Sequence, residues 1–251
     1  MLNAGKNGFV TEPMQLWLKR EMVKRSMTRK RNYILLSVFL FSITVTFIDA
    51  VVQPPYFSKI PIKVLFFLAL PMLFFVFWRE EWSEFKALFR FQRKGLLISF
   101  LLGAAIFGVI LGGYFALRGV IDFSGVTTSL TSGMGITADN FVWVAIYISI
   151  MNSFLEEFFF RGFGFIMLKK YVNIKFAYLF SPVLFAVYHV GMLVGMFHPA
   201  VLALLMFGLI VGGLIFNALN DKLGNIYPSW LVHMAANFAI NTIGFILFGV
   251  L

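Results

Sequence analysis

Glu156-Glu157-Phe158-Phe159-Phe160-Arg161 lies inside an apolar stretch, residues 141–168, long enough to cross a membrane. Spanning takes about 20 residues at ~1.5 Å rise each. A charged side chain at that depth costs roughly 2.5–3.5 kcal/mol or more unless it is paired or hydrated. Glu156, Glu157 and Arg161 therefore imply a polar interior within a helical membrane protein.

Outward from this stretch the chain stays apolar. Of its 251 residues 60% are hydrophobic, and the mean hydropathy is +0.88. Soluble domains are about 45–50% apolar, so this surface belongs in lipid. The fold class is all-α, a polytopic transmembrane bundle. Further spans are predicted over 33–52, 61–78, 95–117, 174–197, 199–219 and 228–250, making seven with 141–168. There is no cysteine, which excludes disulfides and thiolate metal sites. No cleavable signal peptide is evident.

The net charge of +10 could suggest nucleic acid, but the basic residues cluster between spans. Lys6, Lys19, Arg20, Lys24, Arg25, Arg29, Lys30 and Arg31 precede the first span. Arg79, Lys86, Arg90, Arg93 and Lys94 fill the 79–94 loop, Lys169, Lys170 and Lys175 a third segment, and Lys222 the last. The long 118–140 loop has only Arg118. Lys59 and Lys63 are the exceptions. This positive-inside pattern puts the N-terminus in the cytoplasm, names membrane lipid as a partner and excludes nucleic acid. Residues 13–25 are expected to form an amphipathic surface helix. Three regions follow: a basic segment 1–32, supporting spans 33–140, and a functional core 141–251.

On an α-helix, residues four apart share a face. Glu157 therefore stacks on Arg161, while Glu156 faces elsewhere with Asn152 and Phe160. One carboxylate is neutralised and the other is free for acid–base chemistry. The competing reading is an ion pair that only packs helices. Phe185 lies one turn before His189 in the fifth span. His233, Asn237 and Asn241 form a stripe on the seventh. An imidazole above a carboxamide could hold an oxyanion and a proton carrier together; equally, each His could be interhelical glue. His198, before Pro199, reads as an interfacial residue. Gly208, Gly212 and Gly213 read as a small-residue face for close helix packing. Glu156 and His189 fall mid-span and His233 nearer the cytoplasmic end, so a shared site would open towards the cytoplasm through a water-filled cavity.

Other intramembrane protease chemistries lack their residues. There is no His-Glu-x-x-His motif and no intramembrane Asp pair, with Asp49 alone near an outer boundary. Ser153, Ser181 and Ser229 lack a Gly-flanked nucleophile setting.

The three polar elements resemble the CPBP intramembrane metalloprotease family, the CAAX proteases and bacteriocin-processing (Abi) enzymes, which include the type II CAAX-prenyl endopeptidases. The family motifs are Glu-Glu-x-x-x-Arg, Phe-x-x-x-His and His-x-x-x-Asn on successive membrane helices. Here they read Glu156-Glu157-Phe158-Phe159-Phe160-Arg161, Phe185-Ala186-Val187-Tyr188-His189 and His233-Met234-Ala235-Ala236-Asn237, and the resemblance covers about 141–245. It implies a helical endopeptidase in a bacterial cell membrane acting on a membrane-associated peptide or protein. Glu156 and His189 would activate water, His233 and Asn237 would stabilise the oxyanion, and Glu157, Arg161 and Phe185 would shape the site. A metal-free, glutamate-type reaction is favoured. The alternative is a Zn²⁺ site on Glu156, His189 and His233; Asn237 is a poor zinc ligand but a good oxyanion donor. Two other functions stay open: a non-catalytic scaffold or bacteriocin-immunity protein that binds a peptide or membrane partner, and a transporter with a Glu/His proton relay.

Overall fold

The computed structural model describes residues 12–251, so Lys6 of the basic segment lies outside the described residues. Among those residues there is no strand, and seven helices are long and apolar enough to span a membrane. They are α1 (Glu12–Val52), α2 (Tyr56–Phe77), α3 (Leu96–Leu117), α4 (Ala138–Lys170), α5 (Ile174–Leu193), α6 (Pro199–Leu223) and α7 (Tyr227–Leu247). A short helix, Trp82–Leu88, links α2 to α3. The chain is an all-α, polytopic integral membrane protein.

Local sequence sets the helix ends. Gln53, at φ 48°, closes α1 before Pro54 and Pro55. The Asn140 side chain accepts the Thr137 N–H at 2.9 Å and opens α4. Asn173 caps α5 by accepting the Lys175 N–H at 2.9 Å. His198 caps α6 through Ala200, with Pro199 in the first turn, where a missing N–H costs nothing. The 13–25 helix is present as the first part of α1, continuous with the span. At ~1.5 Å per residue α1 is about 60 Å long, twice the hydrocarbon thickness of a bilayer.

The middle of the bundle is α4. It touches α1, α2, α5, α6 and α7, and all eleven residues of Glu157–Met167 are buried. A helix enclosed on every side can be apolar all round, and Phe158, Phe159, Phe160, Phe163 and Phe165 are. Phe159 and Phe160 pack with Phe41, Phe67 and Tyr188 from α1, α2 and α5. Alongside this core, α3 packs against α7 and α5 against α6. Much of the aliphatic surface facing outward, such as Leu97, Phe100, Val109 and Phe207, is exposed.

Two charge clusters bind the ends of the bundle. At one end Glu81 accepts from Lys30 at 2.6 Å, Lys170 at 2.6 Å and Tyr171 at 2.7 Å. This ties α1, the α2–α3 connection and the end of α4 together. At the other, Asp49, which has no second Asp beside it, is held by cations. It pairs with Lys59 at 2.9 Å and Lys63 at 3.1 Å. Those are the two lysines that broke the charge pattern, and pairing lowers the cost of burying all three ions.

Close helix approach is decided at single glycines. A Cβ on Gly191 of α5 would lie 2.3 Å from the Thr46 carbonyl oxygen of α1, and one on Gly213 of α6 would lie 2.7 Å from the Pro182 Cβ. Gly208 and Gly212 face open space. The expected small-residue contact face therefore reduces to Gly213, because α6 turns its other two glycines away from α5.

Candidate active site

Six of the side chains singled out by sequence come together where α4, α5 and α7 meet. Glu157 and Arg161 are both fully buried, with Arg161 Nη1 3.5 Å from Glu157 Oε1. The guanidinium lies 3.9 Å from the Phe185 ring centroid and 5.1 Å from that of Phe216. Its nitrogens have no hydrogen bond among the described residues. Aromatic faces and one carboxylate hold this cation, a cation–π arrangement that gains strength away from water. Phe185 is the hub: its ring also meets His189 at 4.5 Å and His233 at 5.8 Å.

The two carboxylates divide their partners. Glu157 Oε1 accepts from His233 Nδ1 at 2.9 Å as well as facing Arg161. Glu156 has no contact of ion-pair length with Arg161. Its Oε1 accepts from Asn152 at 2.6 Å, and its Oε2 lies 3.6 Å from His233 Nε2. The Asn152 contact follows from the four-residue spacing. The bridging of both carboxylates by one imidazole does not, since α4 and α7 are far apart in sequence.

His189 Nδ1 bonds the Phe185 carbonyl at 2.8 Å. A carbonyl only accepts, so this nitrogen carries the proton and Nε2 presents a lone pair. His189 is half-buried and makes no ion pair with a carboxylate among the described residues. Asn237 is also half-buried and donates to the Ile148 carbonyl at 3.2 Å, which uses one of its two amide hydrogens. Asn241 donates to the Ala145 carbonyl at 3.2 Å and Ser149 Oγ at 2.9 Å. Both carboxamides thus act as helix glue on α4.

Depth also differs from the sequence reading in one place. Glu156 and His189 both stand about 20 Å from the basic end of their helices, as expected. His233 is at the level of Glu156 and Glu157, not nearer the basic end. The cause is the 224–226 turn, where Asn225 and Ile226 are buried and the Ile226 N–H bonds the Leu88 carbonyl. Helix α7 therefore begins inside the bundle.

No group of three His, Asp or Glu side chains converges on one ion position among the described residues. Glu157 is occupied by Arg161 and His233, and the Glu156–His189–His233 set does not fit a metal ion as arranged.

Sequence reasoning missed Tyr147, Tyr188 and Phe216. Tyr188 sets its ring edge-on to that of His189 at 4.8 Å. Phe216 stands 5.5 Å from the His233 ring at 30° and caps Arg161. Aromatic residues in an apolar span carry no signal of their own.

Residues 138–239 match the family model described as Type II CAAX prenyl endopeptidase Rce1-like, a segment that holds all three polar motifs. No curated protein and no solved structure matches the chain. Over residues 138–239 this membrane protein is similar to the CAAX-protease family, and the match supports that kinship for the segment.

Proposed function

We propose that the protein is an intramembrane endopeptidase that hydrolyses a peptide bond of a membrane-associated peptide or protein. The observation that carries this is the division of labour between adjacent carboxylates. Glu157 is held by Arg161 and His233, whereas Glu156 keeps an oxygen facing His233 Nε2 and no guanidinium. Water held between Glu156 and the bare Nε2 of His189 would lose a proton to Glu156 as it attacks the carbonyl carbon. His233, fixed by Glu157, and the second amide hydrogen of Asn237 would stabilise the oxyanion. Phe185 and Arg161 hold these groups in register.

The reaction is glutamate-type. No step is routed through Zn²⁺, because Glu156, His189 and His233 do not converge on one ion position. On this reading the membrane is that of a bacterial cell, and the basic clusters favour a cytoplasmic N-terminus with the site opening to that side.

The test compares new peptide termini in membranes from cells carrying wild type or Glu156→Gln at equal levels. Termini formed only by wild type support hydrolysis and identify the substrate. Equal termini with both proteins folded favour the second reading, a scaffold or immunity protein. That reading draws on the closed site: Glu156, Glu157 and His233 are each at most 6% exposed.

A further inference from the structure

Beside the candidate site lies a phenol that the reaction above does not use. The Tyr147 hydroxyl is shielded from solvent and has no hydrogen-bond partner among the described residues. A buried hydroxyl left unsatisfied is destabilising, so its presence calls for a reason.

The backbone supplies one. Tyr147 opens the Tyr147–Asn152 segment of α4, whose hydrogen bonds run from i to i+5. In α-winding, residues five apart are turned by about 140°. A wider turn brings them close to register. It swings Tyr147 towards the side of Asn152, whose carboxamide holds Glu156 at 2.6 Å. The Tyr147 ring meets that of Tyr56 edge-on at 6.4 Å.

A second set of contacts fixes this segment from α7. Asn237 grips the Ile148 carbonyl, and Asn241 grips the Ala145 carbonyl and Ser149. These anchors fall on either side of Tyr147. Asn237, whose carboxamide is assigned to the oxyanion, thus holds the turn of α4 that follows Tyr147. Wide helical turns of this kind are frequent at functional sites.

We propose that Tyr147 is a further catalytic residue. Its O–H donates a hydrogen bond to the carbonyl oxygen of the scissile peptide as charge develops there, beside Asn237. This rests on the hydrolase reading. The water oxygen bonds to the carbonyl carbon, its proton passes to Glu156, and the carbonyl electron pair moves to oxygen, where Tyr147 meets it. The double bond then re-forms, the C–N bond breaks, and the proton on Glu156 goes to the departing amine. Tyr147 keeps its own proton throughout. Asn237 has two duties: it donates to the oxyanion and positions Tyr147 through Ile148.

The experiment follows new peptide termini over time in membranes carrying wild type, Glu156→Gln or Tyr147→Phe, with thermal melting of each purified protein. Phe removes only the unpartnered hydroxyl, so Tyr147→Phe should melt at or above wild type. Its termini should form about 100- to 1,000-fold more slowly, the effect of losing one oxyanion donor. Termini lost in Glu156→Gln but formed at the wild-type rate in Tyr147→Phe would overturn the role of Tyr147 alone. Equal termini in wild type and Glu156→Gln would overturn the hydrolase reading and this inference with it. A Tyr147→Phe protein that melts well below wild type would give the hydroxyl a structural partner and also refute the proposal.

Discussion

Glu157 and Arg161 illustrate how much a four-residue spacing can tell. Their stacking is a local property of the helix, and it was legible in the sequence. So was the separate face shared by Glu156 and Asn152, now a 2.6 Å hydrogen bond. The aromatic clamp of Phe185 and Phe216 on Arg161, and His233 between two carboxylates, arise between helices and leave no periodic trace. They make the Glu157 site sensitive. Removing either partner strands a fully buried charge, which costs about 3–5 kcal/mol. Glu157→Ala and Arg161→Ala should therefore lower the melting temperature and abolish activity together. Tyr147 was illegible for another reason: on ordinary α-winding it faces away from Asn152, and only the wider turn brings it round.

Among the elements, α1 and α5 depend on one close crossing. Thr46 Oγ1 donates to the Val187 carbonyl at 2.7 Å, and Gly191 leaves no space for a methyl beside Thr46. Gly191→Ala should destabilise the bundle by about 1–3 kcal/mol, the usual cost of overpacking, read as a fall in melting temperature. The Glu81 clamp makes a pH-dependent counterpart. Burial disfavours its charge, but hydrogen bonds from Lys170, Lys30 and Tyr171 outweigh that and hold the carboxyl down at about 2. An unfolded Glu titrates at ~4.3, so the clamp contributes fully above that pH and is lost as pH falls towards 2. Glu81→Gln should remove the acid-side slope of stability across that window, measured by melting at successive pH values. Asn173 and His198 cap their helices, though His198 reads from the sequence only as an interfacial residue. The rotation of α6, which leaves Gly208 and Gly212 outward, could not be read from a pattern of small residues.

For the whole molecule, hydropathy alone gave seven spans, because only a closed helix satisfies its backbone inside lipid. It could not tell that α1 runs on through the basic segment, since charge marks where lipid ends and not where a helix ends. Nor could it reveal the buried turn that starts α7 inside the bundle and lifts His233 to the level of the carboxylates. Chelation should leave the pattern of new termini unchanged; their loss with a chelator and return with Zn²⁺ would establish the metal alternative. The proposed reaction gives two neighbouring carboxylates different jobs. Glu156→Gln and Glu157→Gln, compared side by side for peptide termini in membranes and for thermal melting of each purified protein, separate those jobs. Glu156→Gln should melt like wild type and make no termini, while Glu157→Gln should melt lower. Termini from Glu156→Gln at the wild-type rate would refute the division.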